Sequence, residues 1–282
     1  MTHGVFCTVH EVCTSGVCGG GTPRDCSDDS VCTQDSCDEP GAQCVHDPAP
    51  FEGTLCTDDN ACTVNDHCAA GVCTSTPLDC NDNIPCTVDT CDRVSGCMHR
   101  EGPGAGCLVP QRSILVIRES TSTAKNKLVW KWLKGPADIA GYGDPSVSTE
   151  YALCVYDTSN GGSVSRLAMQ SIVPPGSIWH KLGGGTHILF RYKEHDATGQ
   201  RKVLLKSLAN NTGRIGFKAK GDRMSPATPV GETLFSDDDA VVVQLISSEG
   251  KCWESRFAAP AGKQRTSSYK DKCGDLVRGP CN

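Results

Sequence analysis

Two sets of side chains in this 282-residue chain have chemistry to offer. The first is carboxylates and amides in loops between cysteines: Asp28-Asp29, Asp58-Asp59-Asn60 and Asn81-Asp82-Asn83, with a further acid at Asp35, Asp66 and Asp89. Ca²⁺ takes six to eight oxygens, so Asp28, Asp29, Asp58, Asp59 and Asp82 are candidate ligands and calcium is the one cofactor suggested. The competing reading is that Asp and Asn close tight Asx-turns, and no loop has EF-hand spacing. His46 and His99 recur after the last cysteine of two repeats and read as packing or solvated residues. Zinc would want CxxC pairs, and none occurs.

The second set is cationic. Arg191 and Lys193 alternate with Phe190 and Tyr192, and Lys218 and Lys220 with Phe217 and Ala219. Period-two alternation puts such cations on the solvent face of a sheet, where they are candidate ligand-binding residues. Lys263, Arg265, Lys270, Lys272 and Arg278 read as a basic tail. An anionic polysaccharide or the chain's own acidic part would suit both, against the plainer reading of a solvated face. Trp130 and Trp132 share a strand face, with core packing preferred over a sugar platform. No G-x-S-x-G, H-E-x-x-H or Walker loop occurs, and no G-x-G-x-x-G precedes a helix. Gly183–Gly185 and Glu194-His195-Asp196 read as turns and Asp237–Asp239 as a solvated loop. No catalytic residue is assigned, and the protein is read as a non-enzyme.

What must position these residues differs between the two parts of the chain. Residues 1–107 hold Phe6 and Phe51 as their only aromatics and no lysine, so a hydrophobic core cannot offset their chain entropy. They hold 16 of the 20 cysteines. Cys-Thr recurs at Cys7, Cys32, Cys62 and Cys86. One spacing, Cys7/Cys13/Cys18, returns as Cys62/Cys68/Cys73; the other, Cys32/Cys37/Cys44 followed by Val45-His46, returns as Cys86/Cys91/Cys97 followed by Met98-His99. Cys26, Cys56, Cys80 and Cys107 stand between units. Assigning each to the preceding unit leaves no orphan and predicts four closed units, 7/13/18/26, 32/37/44/56, 62/68/73/80 and 86/91/97/107, with three connectivities open in each. Two bridges per unit, at roughly 2–4 kcal/mol each, can replace the missing core.

Charge divides at the same point. Residues 1–107 carry 17 acids against Arg24, Arg93 and Arg100, a net −14, and residues 108–282 carry +8. So many closely spaced cysteines imply an oxidising, extracellular or cell-surface location. Residues 1–6 lack the pattern of a signal peptide, so an export signal upstream of this sequence is expected. No apolar stretch is long enough to span a bilayer. Nucleic acid is not expected as a partner of an oxidised, exported protein; matrix, cell-surface glycan or protein is.

Glycines and prolines at 101–110 place a linker at 108–111. Beyond it, short apolar runs such as SILVIR, KLVWKWL, YALCVY, HILFRY and VVVQLI, separated by turn signals, predict an antiparallel β-sandwich of jelly-roll type over 112–262. The basic tail then runs over 263–282. Cys154 and Cys252 are expected to bridge distant strands of the sandwich, and Cys273 and Cys281 to close a terminal loop. Asn210-Asn-Thr212 is a glycosylation sequon.

Two resemblances follow from these residues. Cys86-Thr-Val-Asp-Thr-Cys91-Asp with Gly96-Cys97-Met-His99 resembles the Cys-Thr-x-Asp-x-Cys repeats of slime-mould extracellular matrix and prespore proteins and of secreted myxobacteria-like proteins. The unit at Cys62–Cys68 departs from that pattern by one residue. Tyr151–Asp157 together with Cys252-Trp-Glu254 resembles an uncharacterised β domain that ends secreted bacterial proteins. The resemblances imply a secreted structural or adhesive protein, the array a rigid acidic spacer presenting the sandwich. A carbohydrate-binding module is the first alternative, and a secreted enzyme or an inhibitor of secreted hydrolases the second.

Overall fold

The computed structural model describes residues 5–137, 140–159, 164–184, 187–197, 199–208, 210–221, 225–226, 240–258, 263–265, 268–274 and 281. Asp237–Asp239 and Arg278 lie outside them. Among the described residues the structure is strand and turn with three short 3₁₀ turns and no α-helix. The chain forms two compact units, one of residues 1–81 with 89–98 and one of residues 82–88 with 99–282. The division therefore runs through the residues of the fourth repeat, whereas the sequence places it after Cys107.

The first unit is a run of small hairpins. Strands β1 (Thr8–Val9) and β4 (Thr22–Pro23) flank β2 (Val12–Thr14) and β3 (Val17–Gly19); β5 (Gln34–Asp38) pairs with β6 (Gln43–Asp47) and β7 (Thr63–Ala69) with β8 (Val72–Pro77). The hairpins β2–β3 and β7–β8 turn on Ser15-Gly16 and Ala70-Gly71, all four at positive φ, which is the two-residue primed turn that matches strand twist. Strands β9 (Thr87–Asp92) and β10 (Gly96–Glu101) make the last hairpin. Apolar side chains in these repeats stay in water: Leu55 and Val94 are each 89% exposed.

Disulfides replace the core, in a pattern other than four closed units. The Cys-Thr cysteine of each repeat bonds to the first strand of the next hairpin, as Cys7–Cys37, Cys32–Cys68 and Cys62–Cys91. The intervening cysteine bonds to the second strand of the hairpin that follows it, as Cys26–Cys44, Cys56–Cys73 and Cys80–Cys97. Cysteines that face each other across a hairpin, Cys37 with Cys44 and Cys68 with Cys73, thus point to different donors. The intervening cysteine reaches forward because its segment lies along the next hairpin: Gly53 N donates to Cys68 O, and Cys68 N to Thr54 O, at 2.8 and 2.9 Å. Cys13 and Cys18 face each other across β2–β3 and bond to each other.

In the second unit, the expectation that Cys86 and Cys107 close a fourth unit fails, as does the expected Cys154–Cys252 bridge. Cys86 bonds to Cys154 and Cys107 to Cys252. The sandwich strands thus take the position that a further hairpin would occupy. Counting orphans within the array misled because the two missing acceptors lie 68 and 145 residues downstream.

Two antiparallel sheets make the sandwich. The strands are β11 (Arg112–Arg118), β12 (Lys127–Pro136), β13 (Tyr151–Ser159), β14 (Val164–Val173), β15 (Trp179–Gly184), β16 (His187–Asp196), β17 (Gly199–Leu208), β18 (Thr212–Gly221), β19 (Ser225–Pro226), β20 (Ala240–Ser247), β21 (Cys252–Ala258), β22 (Lys263–Arg265) and β23 (Ser268–Cys273). The larger sheet runs β15-β16-β17-β18-β12-β11-β23-β22 and the smaller β19-β14-β13-β20-β21. One face of each supplies a shared core that includes Leu115, Trp130, Phe217, Leu153, Val243 and Phe257. The expected basic tail is partly strand, since β23 pairs with β11 along its length. Cys273 bonds to Cys281, whose carbonyl accepts from Arg256 N.

In the smaller sheet the central strands, β13 and β20, are buried on both faces. Beneath its outer side Ala152, Cys154, Tyr156 and Val242 cluster with Cys86. Tyr156 Oη donates to Cys86 O at 3.0 Å, and Gln244 holds both the N–H and the carbonyl of Gly104. This cover explains why Tyr151–Tyr156 and Ala240–Leu245 are continuous buried runs with no polar alternation. Burial also pushes the Tyr151 and Tyr156 phenols up. In the larger sheet burial alternates along β11, β12, β17 and β18, and the outward positions hold the lysines of these strands together with apolar residues such as Ile114, Val129 and Leu204.

All four tryptophans are buried, at 0–3% exposure. Trp130 Nε1 donates to Ser255 Oγ, Ser255 Oγ donates to Ser113 Oγ, and Ser113 Oγ donates to Lys131 O, a satisfied buried chain. Trp132 Nε1 donates to Leu108 O and Glu254 O, and Trp179 Nε1 to Pro174 O. The exposed-tryptophan form of the sugar-binding reading is overturned.

Candidate polyanion-binding face

The oxygen-rich loops have a common construction. Asp28 Oδ1 accepts from Ser30 N and Thr33 Oγ1, Asp58 Oδ1 from Asn60 N and Thr63 Oγ1, and Asp82 Oδ1 from Ile84 N and Thr87 Oγ1, all at 2.8–3.0 Å. The threonine of each Cys-Thr is therefore the hydroxyl that closes an Asx-turn. Asp29, Asp59 and Asn83 follow at φ +62°, +53° and +60°, the left-handed conformation that Asp and Asn tolerate. Of the five candidate calcium ligands, Asp28, Asp58 and Asp82 each have one carboxylate oxygen engaged by their own loop.

Asp35 and His46 form a pair, Nδ1 to Oδ1 at 2.7 Å, with Asp28 Oδ2 at 3.6 Å from the same nitrogen. The bond to Asp35 raises the His46 pKa, and the bond to His46 lowers that of Asp35. His99 lies 3.6 Å from Asp82 in the equivalent place. These histidines serve the array's acids and are not solvated alone.

The cations gather on the outer face of the larger sheet. Arg191 and Lys193 face outward on β16, Lys218 and Lys220 on β18, as their alternation predicts. Strand pairing adds residues that the sequence reading does not single out: Lys202 and Lys206 on β17, Arg214 on β18, Lys127 and Lys131 on β12, and Arg112 and Arg118 on β11. Lys270 and Lys272 face outward on β23. No outward position of these strands holds Asp or Glu, and none of these cations is in an ion pair among the described residues.

Register sets them in rows. Lys193, Lys202 and Lys218 stand directly opposite one another across β16, β17 and β18. One step along the strands, Lys220, Lys127 and Arg118 do the same across β18, β12 and β11. Like charges opposite each other in a sheet destabilise, by roughly 0.2–1 kcal/mol per pair. Over the middle of this face lies a groove of about 590 Å³, lined by Arg191, Lys193, Lys202, Leu204, Arg214, Gly216, Lys218, Lys131 and Leu133 among others. Its lining holds no carboxylate and no histidine.

The contrast is Arg201, one position from Lys202 but facing inward. It is 7% exposed and meets Glu194 at 2.8 Å, Tyr192 Oη and Ser171 Oγ. A buried cation in this sheet is paired; the outward ones are not.

These features define a disulfide-interlocked array of hairpins and an antiparallel β-sandwich in one chain. The chain is similar to three proteins of Dictyostelium discoideum. It is 34% identical to Protein psiR over 127 residues, covering 38% of this chain and 13% of psiR. It is 35% identical to Protein psiQ over 104 residues and to Protein psiN over 80, each covering 27% of this chain and 10% of the relative. The chain thus spans about a tenth of the length of these relatives. No family model and no solved structure matches it.

Proposed function

We propose that this is a secreted or cell-surface structural protein in which an acidic, covalently interlocked spacer presents a sandwich whose basic face adheres to an anionic matrix component. Ten bridges and similarity to the psi proteins are compatible with an extracellular structural protein. The names of those relatives denote no enzyme. The observation that carries the adhesive part is the acid-free outer face of the larger sheet, with cations opposite cations and no internal partner. Such a field attracts polyanions and releases their counterions on binding. The kinship of the sandwich to β domains ending secreted bacterial proteins belongs to the same proposal, on Tyr151–Asp157 and Cys252–Glu254. A structure of such a bacterial domain with a different sheet order would remove it.

The test is retention of the full chain on an immobilised anionic polysaccharide over a salt series. Binding should weaken steeply with salt, and Lys202→Gln with Lys218→Gln should reduce the log–log slope by about 1 per lysine. Absence of retention at low salt, or retention unchanged in the double variant, would defeat the adhesive reading.

A further inference from the structure

We infer that the groove over Gly216 is a seat for an acidic sugar segment of a linear polysaccharide, a specific site within the basic face; this rests on the reading that the face binds polyanions. Gly216 lies in the interior of β18, between Leu204 and Lys131 in register. Its φ is not left-handed, and a Cβ there would meet only Leu204 Cβ, at an ordinary 3.7 Å. Neither backbone conformation nor packing requires glycine, and glycine weakens a strand interior. What its bare backbone does is leave the groove open.

The groove has the volume of a small-ligand site and the layout of one. Gly216, Leu204 and Leu133 give it an apolar stretch of lining, a surface for the C–H face of a pyranose ring. Arg191, Lys193, Lys202, Lys131, Arg214 and Lys218 rim it. Neighbouring strands are about 4.8 Å apart. Cations repeating across strands at that interval match a chain that carries one acidic group per sugar and runs across them. A single-stranded nucleic acid would want aromatic platforms, but the aromatics of these strands face inward: Phe190, Tyr192 and Phe217 are all 0–1% exposed. An acidic peptide would add to a sheet edge, and this groove lies over interior strands.

The experiment is calorimetric titration of the full chain with a galacturonic acid tetramer, beside retention on polyphosphate as a measure of charge alone. Gly216→Leu fills the groove and removes no charge; Gly216→Ala, whose Cβ the site accepts, is the milder variant. Expected are tetramer binding by the wild type, a loss of about tenfold or more in Gly216→Leu with a smaller loss in Gly216→Ala, and unchanged polyphosphate elution. Tetramer affinity unaltered in a folded Gly216→Leu, or a glutamate tetramer bound as tightly as the sugar, overturns the groove while leaving the basic face intact. No binding of either the sugar or polyphosphate overturns both.

Discussion

At Asp28, Asp58 and Asp82 one carboxylate oxygen accepts a backbone N–H and the hydroxyl of a Cys-Thr, so the recurrent dipeptide is as much about its threonine as its cysteine. Burial acts to raise the Asp58 pKa, but donors at Thr63, Ser75 and Asn60 outweigh it and hold the carboxyl below its ordinary value. Thr63→Val should move that pKa back up and lower the melting temperature of the array, whereas Thr63→Ser should do little. A carboxyl-carbon NMR titration reads the first effect and a melt the second. Because Asp28, Asp58 and Asp82 already accept bonds from their own turns, chelator should leave the melt unchanged; a drop on chelation, restored by calcium, would establish a calcium site. The Asp35–His46 pair makes a pH prediction. His46 is raised above 6.5, so its contribution is complete below that value and is lost as pH rises through the raised pKa. Asp35 is lowered below 3.8, so its contribution is complete above that value and is lost as pH falls through the lowered pKa. The array should therefore be most stable between about pH 4 and 6.5, and His46→Gln should flatten that dependence.

At the scale of elements, the bridges form a chain in which each hairpin is bonded to the segments before it. Cys13–Cys18 is the exception: it spans 5 residues and stays within one hairpin. Since a short loop gains least from closure, limiting reductant followed by alkylation and mass mapping should find it opened first, at little cost to the melt. Cys86–Cys154 spans 68 residues, and replacing both with serine should cost the second unit about 2–4 kcal/mol in a denaturant titration. Short apolar runs between turn signals made nine of the thirteen sandwich strands legible, β13 and β20 among them although they carry no alternation. Four were missed: the short β19 and β22, β15, where Trp179 alone is buried, and β23, where Lys270, Asp271 and Lys272 disguise a strand as a basic tail. Asp271 is 2% exposed, which no polarity pattern would suggest.

For the molecule as a whole, the two faces of the sandwich have different fates. The outer side of the smaller sheet is covered by residues 82–88 and 99–107 of the same unit and stapled at Cys154 and Cys252. The outer side of the larger sheet carries the cations. Net charge outside the array is only +8, less than that face alone, so it is partition between faces that makes the field. Reversing it with Lys193→Glu, Lys202→Glu and Lys218→Glu should abolish retention on a polyanion. The triple variant keeps like charges opposite one another across the three strands with their sign inverted, so its melt should stay close to that of the wild type.

The sequence by itself determined that residues 1–107 are held by cysteines, that the remainder is β-sandwich, and that Arg191, Lys193, Lys218 and Lys220 face water. Each of these follows from composition or local period, which neighbouring residues alone express. Which cysteine meets which, and that lysines from separate strands stand in rows around an open glycine, only the tertiary structure decided. Disulfide pairing and strand register join positions tens of residues apart, and a repeat pattern reads the same whether its last cysteines close on themselves or on strands far downstream.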